Sequence, residues 1–204
     1  MPAQTPHGFP YPLPDEPVAE GAAAIRSLAE AIDAKAAVRI AEVALAADAP
    51  SIDFAGIPAT FRHLELVAAI KLTQPAVLVT VTLRVNGDAS PNYFAQRMRA
   101  NGANVEGIES INVPGFPIDA LGADAPSLAW APLTLSLPTY RDAGLQRLAL
   151  WESGALAAGS AGGLFRASGF GIYGAAAAVD RLTLLEPSGW PILAGSRATL
   201  YGLP

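Results

Sequence analysis

The sequence predicts a mainly β protein. Residues 38–204 read as a jelly-roll-like antiparallel β-sandwich, preceded by one helix over 17–37 and a proline-rich extended arm over 1–16. Three observations carry this. The hydrophobic period changes from near 3.6 to 2 at Val38. Beyond Val38, roughly ten short alternating segments are separated by Gly, Pro, Asn and Asp turns, with no helical pattern of any length between them. Ahead of the helix stand Pro2, Pro6, Pro10, Pro12 and Pro14, each fixing φ and removing a backbone donor.

In the arm, Phe9, Tyr11 and Leu13 alternate with the last prolines. This is either a solvated tail or an attachment segment whose three apolar side chains plug into a neighbour, a common way for extended peptides to dock. The helix has Asp15 or Glu16 as its cap and Pro17 at its first position. Val18, Ile25 and Ile32 recur every seventh residue, with Gly21, Leu28 and Lys35 three residues after each. Two readings follow: an amphipathic helix lying on the domain, or a short three-helix bundle with Val18, Ile25, Leu28 and Ile32 at the oligomer contact.

Val38–Ala46, Ser51–Phe54 and Arg62–Lys71 are the first strands; Leu64, Leu66, Ala68 and Ile70 share one face of the third. Val77–Val85 alternates most cleanly, with Val79, Val81, Leu83 and Val85 opposed to Thr80, Thr82 and Arg84. Asn86-Gly87-Asp88 reads as a hairpin turn before a return strand from Tyr93. The middle reads as loops punctuated by Gly102, Gly107, Pro114-Gly115, Pro117 and Gly122, with a short strand at Ile108–Val113. Leu133–Leu137, Leu145–Trp151, Leu164–Tyr173 and Val179–Leu185 complete the run. The segment Trp190–Gly202 reads as a strand pair turning at Ala194-Gly195-Ser196 that closes the sandwich.

Thirteen Lys and Arg against eighteen Asp and Glu, with no basic cluster, argue against a nucleic-acid partner. No apolar stretch approaches the roughly 18 residues of a membrane-spanning helix, and Met1-Pro2-Ala3-Gln4 begins nothing like a secretory signal. Charged residues make up only 15%, which implies that partners cover part of the surface. Without cysteine there is no disulfide, thiolate metal site or cysteine nucleophile. His7 and His63 lack the carboxylate spacing of a triad, no Gly-x-Ser-x-Gly or phosphate loop occurs, and no calcium-loop pattern surrounds Asp88. No catalytic, metal-binding or cofactor-binding residue is therefore expected. Glu106, Glu109, Asp119 and Asp124 are the carboxylates a glycosidase could draw on, but read as solvated loop residues. Most aromatics read as core; an exposed one beside Asn92, Asn101 or Asn104 would form a sugar-stacking platform.

The run Phe9-Pro10-Tyr11-Pro12-Leu13-Pro14-Asp15-Glu16-Pro17-Val18, then Gly21 to Asp33, resembles the N-terminal segments of tail fibres and minor tail proteins of tailed bacteriophages. So do Ser51-Ile52-Asp53-Phe54, Ile57 to Val67, and Leu83-Arg84-Val85-Asn86-Gly87-Asp88 with Asn92-Tyr93. Ala194 to Gly202 resembles the typical end of such proteins, while the likeness thins between Gly102 and Gly174. The resemblance implies a virion surface protein, a homotrimer attached to other tail or capsid proteins through residues 1–16. It also implies either binding of host-surface glycans or decoration of the capsid. The helix runs almost directly into the β domain, which favours a compact tail-tip or head-surface knob over a long fibre. The other class of reading is a carbohydrate-active enzyme, or a non-viral carbohydrate-binding module, on a jelly roll.

Overall fold

The computed structural model describes residues 3–5, 9–11, 18–33, 35–156, 163–175 and 177–204. They form two compact units, residues 1–38 with 203–204, and residues 39–202.

The first unit holds β1 (Ala3–Gln4), β2 (Pro10–Tyr11) and α1 (Val18–Asp33). The chain ahead of the helix is not a straight arm. Ala3 pairs with Tyr11 and Gln4 with Pro10, and Thr5 N–H donates to the Phe9 carbonyl at 2.9 Å. Pro10 is tolerated because this is an edge pair, where a missing donor costs little. The α1 sequence is rich in Ala, the best helix former. The helix ends as Lys35 and Ala36 N–H both turn back onto the Ile32 carbonyl, at 3.0 and 2.9 Å.

The second unit is built on two antiparallel sheets. The large one contains β3 (Val38–Ala44), β5 (His63–Ile70), β7 (Tyr93–Asn101), β8 (Asn104–Val113), β10 (Ala131–Pro138), β11 (Arg147–Leu156), β12 (Leu164–Tyr173) and β14 (Arg197–Leu203). Its strand order is β3-β14-β5-β10-β11-β12-β7-β8. The small one contains β4 (Ser51–Ala55), β6 (Leu78–Val85), β9 (Phe116–Leu121) and β13 (Arg181–Leu185), in the order β4-β13-β6-β9. The antiparallel β fold expected from the sequence is present. Its division into eight and four strands is unequal, whereas a jelly roll shares about eight strands between two sheets.

Alternation sends Leu64, Leu66, Leu133, Leu135, Ala149 and Trp151 of the large sheet, and Val81, Leu83, Ile118 and Leu184 of the small one, into a single buried core. Two glycines let the sheets close. Trp151 lies beside Gly169 in the β11–β12 register, and its indole occupies the space a Cβ on Gly169 would need. Phe116 of β9 fills the equivalent space over Gly171. From there it meets Tyr93 edge-on at 5.0 Å and Trp151 at 6.0 Å between ring centroids.

Three expectations change. Residues 116–121, read as loop because of Pro117, form a core strand; β9 is an edge strand, where proline is allowed. Asn86-Gly87 is a turn with both residues at positive φ, 54° and 69°, but it joins no hairpin, because β6 lies in the small sheet and β7 in the large. Trp190–Leu193 is no strand of a closing pair: Ile192 makes single bridges to Ala49 and Leu72, and only β14 is a strand. Ala198 and Leu200 of β14 do enter the core.

A valine at Gly171 would drive its Cβ into the Phe116 ring. Overpacking of this kind costs about 1–3 kcal/mol. Gly171→Val should lower the urea midpoint accordingly, and an unchanged midpoint would contradict the packing described.

Candidate interaction surface

The strand alternation that fills the core leaves a second set of side chains on the outer face of the large sheet. Registers across five strand pairs place Glu65, Ser136, Leu150, Phe170, Gln96 and Glu109 in one row. Beside it run Leu148, Ile172 and Phe94, and on the other flank Thr134, Glu152, Ser168, Met98 and Gly107. Leu150, Phe94, Phe170 and Met98 are 40% exposed or more, a contiguous apolar patch of the kind that marks binding surfaces. Phe94, Gln96, Glu109, Ile111, Phe170 and Ile172 line a groove of about 220 Å³.

The charges of this face are mostly acidic. Arg166 is held by Glu152 at 3.0 Å, while Glu65 and Glu109 have no ion pair among the described residues. Two exposed phenylalanine rings beside an amide and a carboxylate suit a ligand with both apolar faces and hydroxyls, such as a sugar ring. The Asn92 amide, expected beside an exposed aromatic ring, donates to Asp88 at 2.9 Å, and the exposed rings of this face are Phe94 and Phe170. Tyr93, Tyr140, Trp151, Phe165 and Tyr173 are buried, as expected of core aromatics.

Of the arm residues, Phe9 is half-buried with the Lys35 ammonium 4.6 Å from its ring centre, and Tyr11 is 41% exposed. Leu13 lies outside the described residues. On the helix, Ile25 is 66% and Ile32 47% exposed, with Ala22 and Ala29 exposed beside them. Leu28 is half-buried and Ala24 buried, so α1 has two apolar sides, only one of them covered. Val18 opens the helix, and its side chain lies outside those described. His7 also lies outside the described residues, and His63 Nδ1 accepts the Thr139 N–H at 3.4 Å.

The carboxylates read as solvated loop residues divide. Glu109 and Asp124 are exposed. Asp119 on β9 is buried and ties the two sheets together: Oδ1 accepts from Arg99 of β7 at 3.0 Å. Its Oδ2 stands 3.4 Å from Arg97 Nε without hydrogen-bond alignment. Arg97 also donates to the Pro117 carbonyl at 3.1 Å, and Arg99 holds Glu106 of β8. Arg97 and Arg99 share parity with the buried Tyr93 and Ala95 and so turn inward, which the sequence does not signal because the opposite parity carries Phe94 and Met98. Among the described residues, no group of three or more His, Cys, Asp or Glu is placed to hold a metal ion.

A second polar cluster fixes the crossing from β6 to β7. Asp88 accepts from Asn92, from the Ser90 N–H at 2.7 Å and from the Tyr173 hydroxyl at 3.0 Å. The Tyr93 hydroxyl accepts the Val85 N–H at 2.9 Å. The Asn92 hydrogen bond, joined by those from Ser90 and Tyr173 and opposed by burial, brings the Asp88 carboxyl down to about 2. Burial first, then the bond to Asp88, pushes the Tyr173 phenol up to about 12.

The chain matches no known protein family, no curated protein and no solved structure.

Because its folded value is depressed, Asp88 adds stability at pH above its ordinary value of 3.8, and that contribution fades as pH falls through about 2. Asp88→Asn should therefore lose less stability than the parent between those two pH values in urea titrations. An equal loss in the two proteins would contradict the network.

Proposed function

We propose that this chain is a structural and adhesive protein of a bacteriophage virion, a compact trimeric knob of the tail or capsid surface. In this reading the helix assembles three copies, residues 1–16 with Phe9, Tyr11 and Leu13 contact other virion proteins, and the sandwich faces outward. The observation that carries it is the exposure of Ile25 and Ile32, seven residues apart on one helix side and flanked by exposed Ala22 and Ala29. β-branched residues at this spacing are what a parallel helical bundle packs, and small flanking residues let helices approach closely. Two heptads do not hold such a bundle alone, so the attached domains have to contribute. A charged fraction of 15% supports a surface partly covered by neighbours.

The outer face of the large sheet is the ligand-bearing surface in this reading, with a host-surface glycan seated at Phe94 and Phe170. The same groove supports the second reading, a carbohydrate-binding module that acts as a monomer. Neither reading assigns catalysis or a cofactor.

One experiment separates them. Light scattering of the full chain should give a mass in multiples of three chains, and Ile25→Asp/Ile32→Asp should abolish the three-fold species while circular dichroism keeps the β signal. Mass spectrometry of purified particles should find the parent protein and not the double variant. A monomeric parent, or its absence from particles, would overturn the virion reading and leave the binding module.

A further inference from the structure

The two sheets end in strands that treat their outer edges differently. On β9, Pro117 lacks a donor and its carbonyl is taken by Arg97 at 3.1 Å, so this edge offers little to an incoming strand. β8 does the opposite. It is the last strand of the large sheet and pairs only with β7. Its ten residues hold no proline or lysine, and none of its backbone groups bonds outside that ladder among the described residues. Its side chains are exposed or half-exposed throughout, Val105 at 67% and Ile111 at 58%. The register with β7 shifts at Ile111 and Asn112, the latter at φ 53°, which leaves Asn104–Ser110 as the regular open stretch with Ile111 at its end.

We infer that this edge pairs with the β8 edge of a second copy, joining two large sheets into one. An open ladder is satisfied by an extended polypeptide and not by a sugar or a lipid, because only a strand supplies donors and acceptors at the repeat of a β ladder. The sequence of the edge favours its own copy. In an antiparallel pair about a two-fold axis, residues that face each other share a face of the sheet, so the axis has to pass through a residue. Placed at Ile108, it sets Val105 opposite Ile111, Glu106 opposite Ser110 and Gly107 opposite Glu109. Apolar residues then meet, and no glutamate lies directly opposite another. Moving the axis to Glu109 sets that residue against itself, and moving it to Gly107 sets Val105 against Glu109. Glu106 stays engaged with Arg99 of its own chain, which neutralises one of the two charges on the strand. The outer apolar faces of the two copies become continuous through Val105 and Met98. This contact is distinct from the helix stripe and is tested separately from it.

Sedimentation velocity and amide hydrogen exchange on the full chain test it. Val105→Lys/Ile111→Lys changes two exposed side chains and places like charges near the axis, as natural edge strands do. The expected result is a two-fold association in the parent that the variant weakens by about tenfold or more. The amides within 105–111 that point away from β7 should be protected in the associated parent and exchange fast in the variant, while those bonded to β7 stay protected in both. Undiminished association of the variant, or a parent that shows no two-fold association, overturns the proposal. Loss of association in Ile25→Asp/Ile32→Asp but not in Val105→Lys/Ile111→Lys also overturns it, assigning self-association to the helix alone.

Discussion

The sandwich depends on how β9 is held against the large sheet. Phe116 drops into space that exists only because Gly171 lacks a side chain, and Asp119, buried, reaches two arginines of β7. The first contact is apolar and close-packed. The second is ionic and removed from water, so its attraction is strong and its desolvation costly. The ring fills the space between the sheets, and the carboxylate is the one counter-charge of buried Arg97 among the described residues while it shares Arg99 with Glu106. Because β9 is an edge strand, Arg97 also closes its open side through the Pro117 carbonyl.

Much of the fold was legible because it rests on local alternation. β5, β6, β12 and the helix announce themselves in the pattern of Leu, Val and Ile, since a half-buried strand has to separate its two faces. β9 was hidden because proline and glycine normally punctuate loops, and a strand rich in buried residues on both sides shows no alternation. Asp119 was hidden with it, since its partners lie about twenty residues back on another sheet. The turn at Asn86-Gly87 was legible as a turn but not as a crossing between sheets, because the backbone twist it requires is the same in both cases. Of the surface, the helix stripe at Ile25 and Ile32 was readable from spacing. The outer face with Phe94 and Phe170 was not, because one sequence does not say which face of a strand meets the core.

The chain is sparing with charge and uses several of its charged side chains to hold the sandwich together. Arg97, Arg99, Asp119 and Glu106 serve the closure of the sandwich, and Lys71, buried, donates to the Ala125 and Pro126 carbonyls at 2.9 and 3.0 Å to hold the loop before β10. What remains outside is apolar by comparison: a helix side, a sheet face and a sheet edge. Three such surfaces on one small protein are coherent if it lives in an assembly, where each is covered by a copy, a neighbour or a ligand.

The most direct test of this account is the stability of Asp119→Ala in equilibrium urea unfolding. Removing one partner of a buried ion pair strands the remaining charge, so the loss should be about 3–5 kcal/mol. It should be shared by Asp119→Asn in large part, since the neutral amide cannot balance the buried Arg97 guanidinium. A change below about 1 kcal/mol, the scale of an exposed pair, would contradict the claim that this carboxylate locks the two sheets together.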